Sequence, residues 1–251
     1  LKMCVDSQLR GLPKPLAFVP VYFGYEIVLE GSSYLSELRG ANKKRENILD
    51  ILSSLKPIRK NFGKLHVNFG APIKLDDWLA NHKDKNLDDT QLLPGLGSDI
   101  MQAINRQASA NPINLVASAI LTADKQAMPE QQLVAQIQHH RQLIHDLGGD
   151  QHLTEPNTTP LQFIHSAEQL GWLNREIHPF GDVLSLQPVN AVMLTWYRNN
   201  IVHLLALPSL IACLLVNRKR GSAAELLTAS IDVVYPYIAR ELSGSLVADT
   251  N

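Results

Sequence analysis

The sequence predicts an α/β fold in its first third that gives way to helix. Three observations carry this. Two short β-type runs, 16–23 and 64–69, flank a segment of helical apolar spacing at 36–55. A charged stretch with little apolar content follows from Asn81. After residue 99 almost every apolar pattern repeats at helical spacing. Strand–helix–strand order implies a parallel pair joined by a crossover. The expected architecture is therefore a βαβ unit with a mainly parallel sheet in residues 1–85, followed by a mostly α-helical domain in 86–251.

The chain opens on Leu1 rather than Met. Residues 1–12 carry Lys2, Asp6 and Arg10 and no long apolar core, so they are not a signal peptide. They read as the tail of an amphipathic helix, with Met3 and Cys4 on its apolar face and Gly11 and Pro13 ending it. The expectation is a stretch from the middle of a longer protein. The strand at 16–23 is interrupted by Pro20, which lacks the N–H that a sheet ladder needs and belongs at an edge, a strand end or a bulge. Gly24 stops the strand, and Tyr25 and Glu26 form a polar tip. That arrangement suits the carboxyl edge of an α/β sheet, where ligands bind.

A helix over 36–55 presents Leu38, Ile48, Ile51, Leu52 and Leu55, and Pro57 ends it. The second strand, KLHVNF at 64–69, closes at Gly70 and Pro72. Asp76 and Asp77 are start signals for a short helix containing Trp78 and Leu79. Pro94, Gly95 and Gly97 mark a long loop or domain boundary within 81–99. Helices are then expected at 99–109 and 113–125. Another runs from Pro129, with Leu133, Ile137, Ile144 and Leu147 on one face, to Gly148 and Gly149. Thr159 and Pro160 open a helix with Leu161, Ile164 and Leu170. A strand or hairpin fits 180–186, and a long helix fits 189–207. Ser222 and Glu225 form a capping box before the last helix, whose final turns Pro236 should kink.

A net charge of −1 over 251 residues argues against a nucleic-acid partner. Two cysteines, Cys4 and Cys213, are too few for a disulfide framework and favour a reducing compartment. The apolar run at 201–216 is shorter than the roughly twenty residues of a membrane span, and His203, Pro208 and Ser209 interrupt it. It reads as a buried core helix. A surface that meets the bilayer is the alternative, because Arg198, Arg218, Lys219 and Arg220 flank it and basic side chains attract anionic headgroups.

No complete catalytic set appears. His145 and Asp150 fit H-x4-D, a spacing used in acyl transfer, where the aspartate orients an imidazole that takes a hydroxyl proton. Here the match spans a helix end and a Gly-Gly cap, and so short a pattern arises by coincidence. His139, His140 and His145 lack the i, i+4 spacing of a helical metal site and read as surface histidines. The serine-hydrolase elbow, the P-loop and the dinucleotide fingerprint are absent. Arg39, beside Gly40 and followed by Lys43, Lys44 and Arg45, is the candidate for phosphate capture, because a guanidinium pairs bidentately with phosphate oxygens; a solvated helix face is the plainer reading. Residues 196–200, Trp-Tyr-Arg-Asn-Asn, set poor helix formers beside an apolar run and point to a structural hydrogen-bond network.

FVPVYFGYE at 18–26, YLSELRG at 34–40, VNFGAPIKL at 67–75, YRNNIVH at 197–203 and ELL…VVYPYIARELS ending at Ser243 lie in order along the chain. Together they resemble the bacterial membrane-associated glycerol-3-phosphate acyltransferases. The first segment is similar to the last of that family's four acyltransferase motifs. The resemblance implies transfer of a fatty acyl group from coenzyme A or acyl carrier protein to the 1-hydroxyl of glycerol 3-phosphate, in phospholipid synthesis. It implies no cofactor, no metal and no catalytic residue in this chain, because the family's H-x4-D histidine precedes the matching region. It implies substrate-site roles for Val19, Pro20, Val21, Tyr22, Tyr25 and Glu26, with Arg39 added from the basic cluster. It also implies a place at the cytoplasmic face of the inner membrane. The alternative is a non-catalytic helical module that docks on membranes or partners and keeps a degenerate acyltransferase end.

Overall fold

A computed structural model describes residues 1–11, 13–28, 63–82, 89–216 and 224–241. The helix expected at 36–55 and the capping serine Ser222 lie outside the described residues. The described chain is mixed α and β, dominated by helix, with small antiparallel sheets.

Helix α1 (Lys2–Leu9) buries Val5, while Met3 is exposed, opposite to expectation. The first expected strand is split in two. β1 (Ala17–Phe18) and β2 (Val21–Tyr25) pair antiparallel with β4 (Ile73–Lys74) and β3 (Leu65–Phe69) respectively. Pro20 sits at the break, where residues 19 and 20 face residues 70–72, an offset of one residue that a bulge accommodates. The Gly70 amide donates to the Pro20 carbonyl at 2.8 Å, so that carbonyl is paired rather than free. Gly24 lies inside β2 and does not stop it. A Cβ there would stand 3.3 Å from that of Ser109, so glycine serves close approach.

The parallel βαβ pair is overturned. The Glu26 amide donates to the Lys64 carbonyl at 3.2 Å, so the chain leaves β2 and enters β3 at the same end of the ribbon. A parallel pair needs a crossover that delivers the chain to the opposite end. The ribbon also keeps one packed and one open face, which antiparallel sheets tolerate.

Helix α2 (Leu75–His82) begins with Asp76 and Asp77, as expected. Helix α3 (Asp89–Asn105) runs straight through Pro94, Gly95 and Gly97, where a loop was expected. Packing decides this. Leu96 is fully buried with Val5, Leu75 and Trp78, and Leu92, Leu93 and Ile100 pack on the same cluster. Burial of that stripe outweighs the poor helix propensity of the breakers.

The larger core surrounds α4 (Pro112–Ile120), whose nine residues are all buried. Around it lie α5 (Glu130–Asp146), α6 (Pro160–Gln169) and α7 (Pro188–Asn200). Thr159 and Gln162 form a capping box on α6. β5 (Ala127–Pro129) and β6 (Asn174–Glu176) flank β7 (Val183–Ser185) in an antiparallel sheet. The long helix expected at 189–207 breaks at Ile201 and continues as α8 (Val202–Val216) after a bend of 87°. Only His203 and Leu210 of α8 are buried, so it is not a buried core helix: its far end, Leu215 and Val216, is exposed. Among the described residues no single helix is long and apolar enough to cross a membrane; α7 and α8 pass only jointly, as a bent pair. The last described helix, α9 (Ala224–Glu241), continues through Pro236.

Candidate functional site

Residues 19–26 alternate without exception. Pro20, Tyr22, Gly24 and Glu26 face the interior, while Val19, Val21, Phe23 and Tyr25 face outward. The period of two follows from the strand pleat. Six of the seven sequence-predicted site residues therefore fall on opposite faces of one ribbon. Arg39 lies outside the described residues.

The inward face is held by the helical region. Tyr22 stands opposite Asn68 on β3, whose amide donates to the Gln107 carbonyl at 2.9 Å and to Ser109 Oγ at 2.8 Å. The Tyr22 hydroxyl is buried beside the Ser109 backbone without a well-aligned hydrogen bond, and burial pushes it up to about 12. Asn111 Nδ2 donates to the Tyr25 carbonyl at 3.2 Å. Asn111 also caps α4, exchanging side-chain and backbone bonds with Asn114. Asn114 Nδ2 then reaches the Tyr197 carbonyl at 2.8 Å. The Trp172 indole donates to the Glu26 carbonyl at 3.1 Å, and the Val28 amide donates to the Tyr197 hydroxyl at 3.0 Å. Trp172 and Tyr197 meet edge to face. Burial pushes Tyr197 up to about 12, opposed by the Val28 amide.

At the tip, Glu26 is 4% exposed. Its Oε2 accepts from the Lys64 amide at 2.8 Å, and burial raises its carboxyl above the usual range. His66, opposite Gly24, and Glu155, in the loop before α6, bring their ligand atoms within 4.8 Å of those of Glu26 and of each other. Lys64 Nζ pairs with Glu155 Oε1 at 2.6 Å. Gly63 has φ +67°, and a Cβ there would lie 2.5 Å from Glu26 Oε2, so only glycine carries the chain past this carboxylate.

Two open depressions of about 420 and 470 Å³ flank Gln107 and Arg106, one reaching Asn68 and His152, the other Trp78 and Asp99. The Trp78 indole donates to Asp99 Oδ2 at 2.7 Å. His145 Nδ1 and Asp150 Oδ1 do meet, at 2.8 Å, and the carboxylate raises the imidazole's affinity for a proton. Both side chains are exposed, far from the ribbon in sequence and serving the end of α5. His139 is exposed; His140 is half-buried, with Nδ1 enclosed and without a partner, so it is not a plain surface histidine.

Sequence reasoning expected Asn199 and Asn200 to be held by specific hydrogen bonds, but the bond at Asn199 is an exposed one from Arg198. The network forms instead around their neighbour Tyr197, through Val28, Asn114 and Trp172, with Asn111 joined to Asn114. Asn111 before Pro112 was a legible cap signal; nothing local marked Trp172 as a partner of Glu26.

A family model described as the glycerol-3-phosphate acyltransferase C-terminal region matches residues 34–248. A glycerol-3-phosphate acyltransferase of Xanthomonas campestris pv. campestris is 41% identical over 96% of this chain and 29% of its own length. The Xanthomonas axonopodis pv. citri enzyme of that name is 40% identical with the same coverage. The Pseudomonas fluorescens one is 37% identical over 96% of this chain and 30% of its own. The chain thus spans less than a third of the length of these curated relatives. Their similarity takes in the 18–26 ribbon, which the family model does not reach.

Proposed function

Because this chain belongs to the glycerol-3-phosphate acyltransferase family, whose C-terminal region it matches, we propose that it is the C-terminal portion of such an enzyme. The whole protein moves a fatty acyl group from an acyl-CoA or acyl carrier protein thioester to the 1-hydroxyl of glycerol 3-phosphate, in phospholipid synthesis. The observation that carries the reading is the grip of α4 and α7 on the 18–28 segment, through Asn111, Asn114 and Tyr197. The helical region acts as the brace that sets the position of the substrate-site ribbon.

In this reading the outward residues Val19, Val21, Phe23 and Tyr25, with Leu65, Val67 and Phe69 across the ribbon, meet the rest of the acyltransferase domain and its acyl substrate. Pro20, Tyr22 and Glu26 set the shape of the ribbon from beneath. Arg39 takes the phosphate. The proton-transfer histidine comes from the portion of the enzyme that precedes this region, and His145 has no part in it. Residues 1–251 alone therefore turn over no substrate.

A chimera tests this. The corresponding part of the Xanthomonas campestris relative is replaced by these 251 residues and expressed in cells whose own enzyme is inactivated. Restored growth and lysophosphatidate formation from glycerol 3-phosphate are expected. A folded chimera without acyl transfer would sink the proposal, and turnover by the 251-residue chain alone would mean that the base is misplaced.

A membrane-surface role at the cytoplasmic face of the inner membrane rests on a separate observation, the exposed apolar end of α8 at Leu215 and Val216. Co-sedimentation with anionic vesicles at low salt is the expected outcome, weakening as salt screens the basic flank. No binding at low salt rejects it. A purely non-catalytic docking module would bind vesicles while the chimera stays inactive.

A further inference from the structure

We propose that Glu26, His66 and Glu155 form a binding site for one divalent transition-metal cation of the zinc type, which ties the end of β2, strand β3 and the loop before α6 together. The site stands independently of the acyl-transfer reading.

The donor set is the first argument. One imidazole nitrogen and two carboxylates suit Zn²⁺ and its borderline neighbours, whereas Mg²⁺ and Ca²⁺ prefer oxygen alone. Among the described residues, Glu26, His66 and Glu155 are the group whose donor atoms converge within 4.8 Å. Tetrahedral ligands at Zn–N/O bond lengths stand about 3.4 Å apart. The trio therefore closes by no more than about 1.4 Å, which side-chain torsions supply.

His66 Nε2 supplies the second, independent argument. This nitrogen is enclosed and has no hydrogen-bond partner. A buried polar atom without a partner demands an explanation, and a bound ion is one. Charge points the same way. Among the described residues, two carboxylates meet one ammonium there, that of Lys64. Glu26 is buried, and a buried carboxylate is stable only when paired or coordinated.

The ligands are also braced as metal ligands are. Glu26 Oε2 accepts from the Lys64 amide, and Glu155 Oε2 accepts from Thr158 Oγ1 at 3.1 Å. The Arg141 guanidinium donates to the carbonyls of Pro156 and Thr158 and lies over the Phe163 ring, fixing the loop that carries Glu155. Such outer partners orient first ligands and raise affinity. Lys64 is the competitor: its ammonium holds Glu155 Oε1 at 2.6 Å, but the side chain is 63% exposed and is free to swing into solvent when a cation enters.

The 251-residue chain, stripped with EDTA, is titrated with Zn²⁺ by calorimetry and by thermal unfolding, and with Co²⁺ by visible absorption. One ion per chain, a rise in Tm and no matching response to Mg²⁺ are expected. H66A and E155Q should each weaken binding by more than about tenfold, the loss seen even for outer partners. K64Q should strengthen it. A variant lacking His139, His140, His145 and His178 should bind as the parent does. E155Q preserves the side-chain shape and Lys64 is largely exposed, so E155Q and K64Q keep the test decisive if H66A fails to fold. Absence of saturable one-to-one binding overturns the site. So does binding that E155Q leaves unchanged, or that disappears when His139, His140, His145 and His178 are removed.

Discussion

The hydroxyl of Tyr197 accepts a hydrogen bond from the backbone amide of Val28, 169 positions earlier in the chain, at 3.0 Å. The phenol is fully buried, and Asn114 holds the carbonyl of the same residue. A single side chain thus locks the exit of β2 onto the helical core.

Tyr197→Phe keeps the ring and its contact with Trp172 but strands the Val28 amide. A buried donor left without a partner costs about 1–3 kcal/mol. Urea unfolding should show a loss of that size with an unchanged m-value, and exchange of the Val28 amide should speed up. An unaltered midpoint would mean that the bond contributes nothing.

Asn111→Ala removes the cap of α4 and the bond to the Tyr25 carbonyl together. Loss of a cap costs about 1–2 kcal/mol, and the orphaned carbonyl adds to it. In the active chimera, acyl transfer should fall further than that of Thr159→Ala, which loses the α6 cap without touching the ribbon. Equal activities would show that the brace does not matter to the substrate site.

Arg175 bonds Glu168 and Asp182 at 2.7 Å each and also pairs with Glu130, joining α5, α6, β6 and the approach to β7. Three carboxylates raise its proton affinity further. Arg175→Met leaves them facing one another without a cation. The expected loss is roughly 1–2 kcal/mol at low salt, smaller at high salt because these groups are partly solvated. Insensitivity to salt would argue that lost packing, not charge, is responsible.

Burial holds the His203 imidazole below its usual value of about 6.5, the Asn105 carbonyl opposing and His152 adding to the effect. His140 is lowered by burial and by His139. For both, the unfolded chain takes up a proton at a pH where the folded chain does not. Their effect is therefore complete above about 6.5, and stability falls as pH drops below that value toward the folded-state pKa. The Tm should decline between about pH 7 and pH 5, and His203→Gln should flatten the slope while retaining a donor toward Asn105. A variant with the parental slope would remove His203 from the account.

Much of this was legible in the sequence because it is local. Period-two alternation placed Tyr22 with Pro20. Asp76, Asp77, Thr159 and Gly148 marked helix ends where they occur. Strand direction was not legible: no residue in 21–25 or 65–69 encodes it, and it depends on where the intervening chain returns. Pro94, Gly95 and Gly97 outweighed Leu92, Leu93, Leu96 and Ile100 in composition, yet the leucine spacing was the better guide because burial, not propensity, set the helix. His66 looked like one more residue of KLHVNF. Its closeness to Glu26 and Glu155 exists only after β2, β3 and the loop before α6 have been brought together.

The unbroken alternation through 19–26 makes this stretch sensitive to length as well as to identity. One residue inserted between Pro20 and Glu26 turns every later one over. Tyr25 would be driven into the core and the Glu26 carboxylate out into solvent. A second insertion nearby restores phase. Paired single-residue insertions across 20–26 should therefore rescue one another in a selection for folded protein, where no single substitution would.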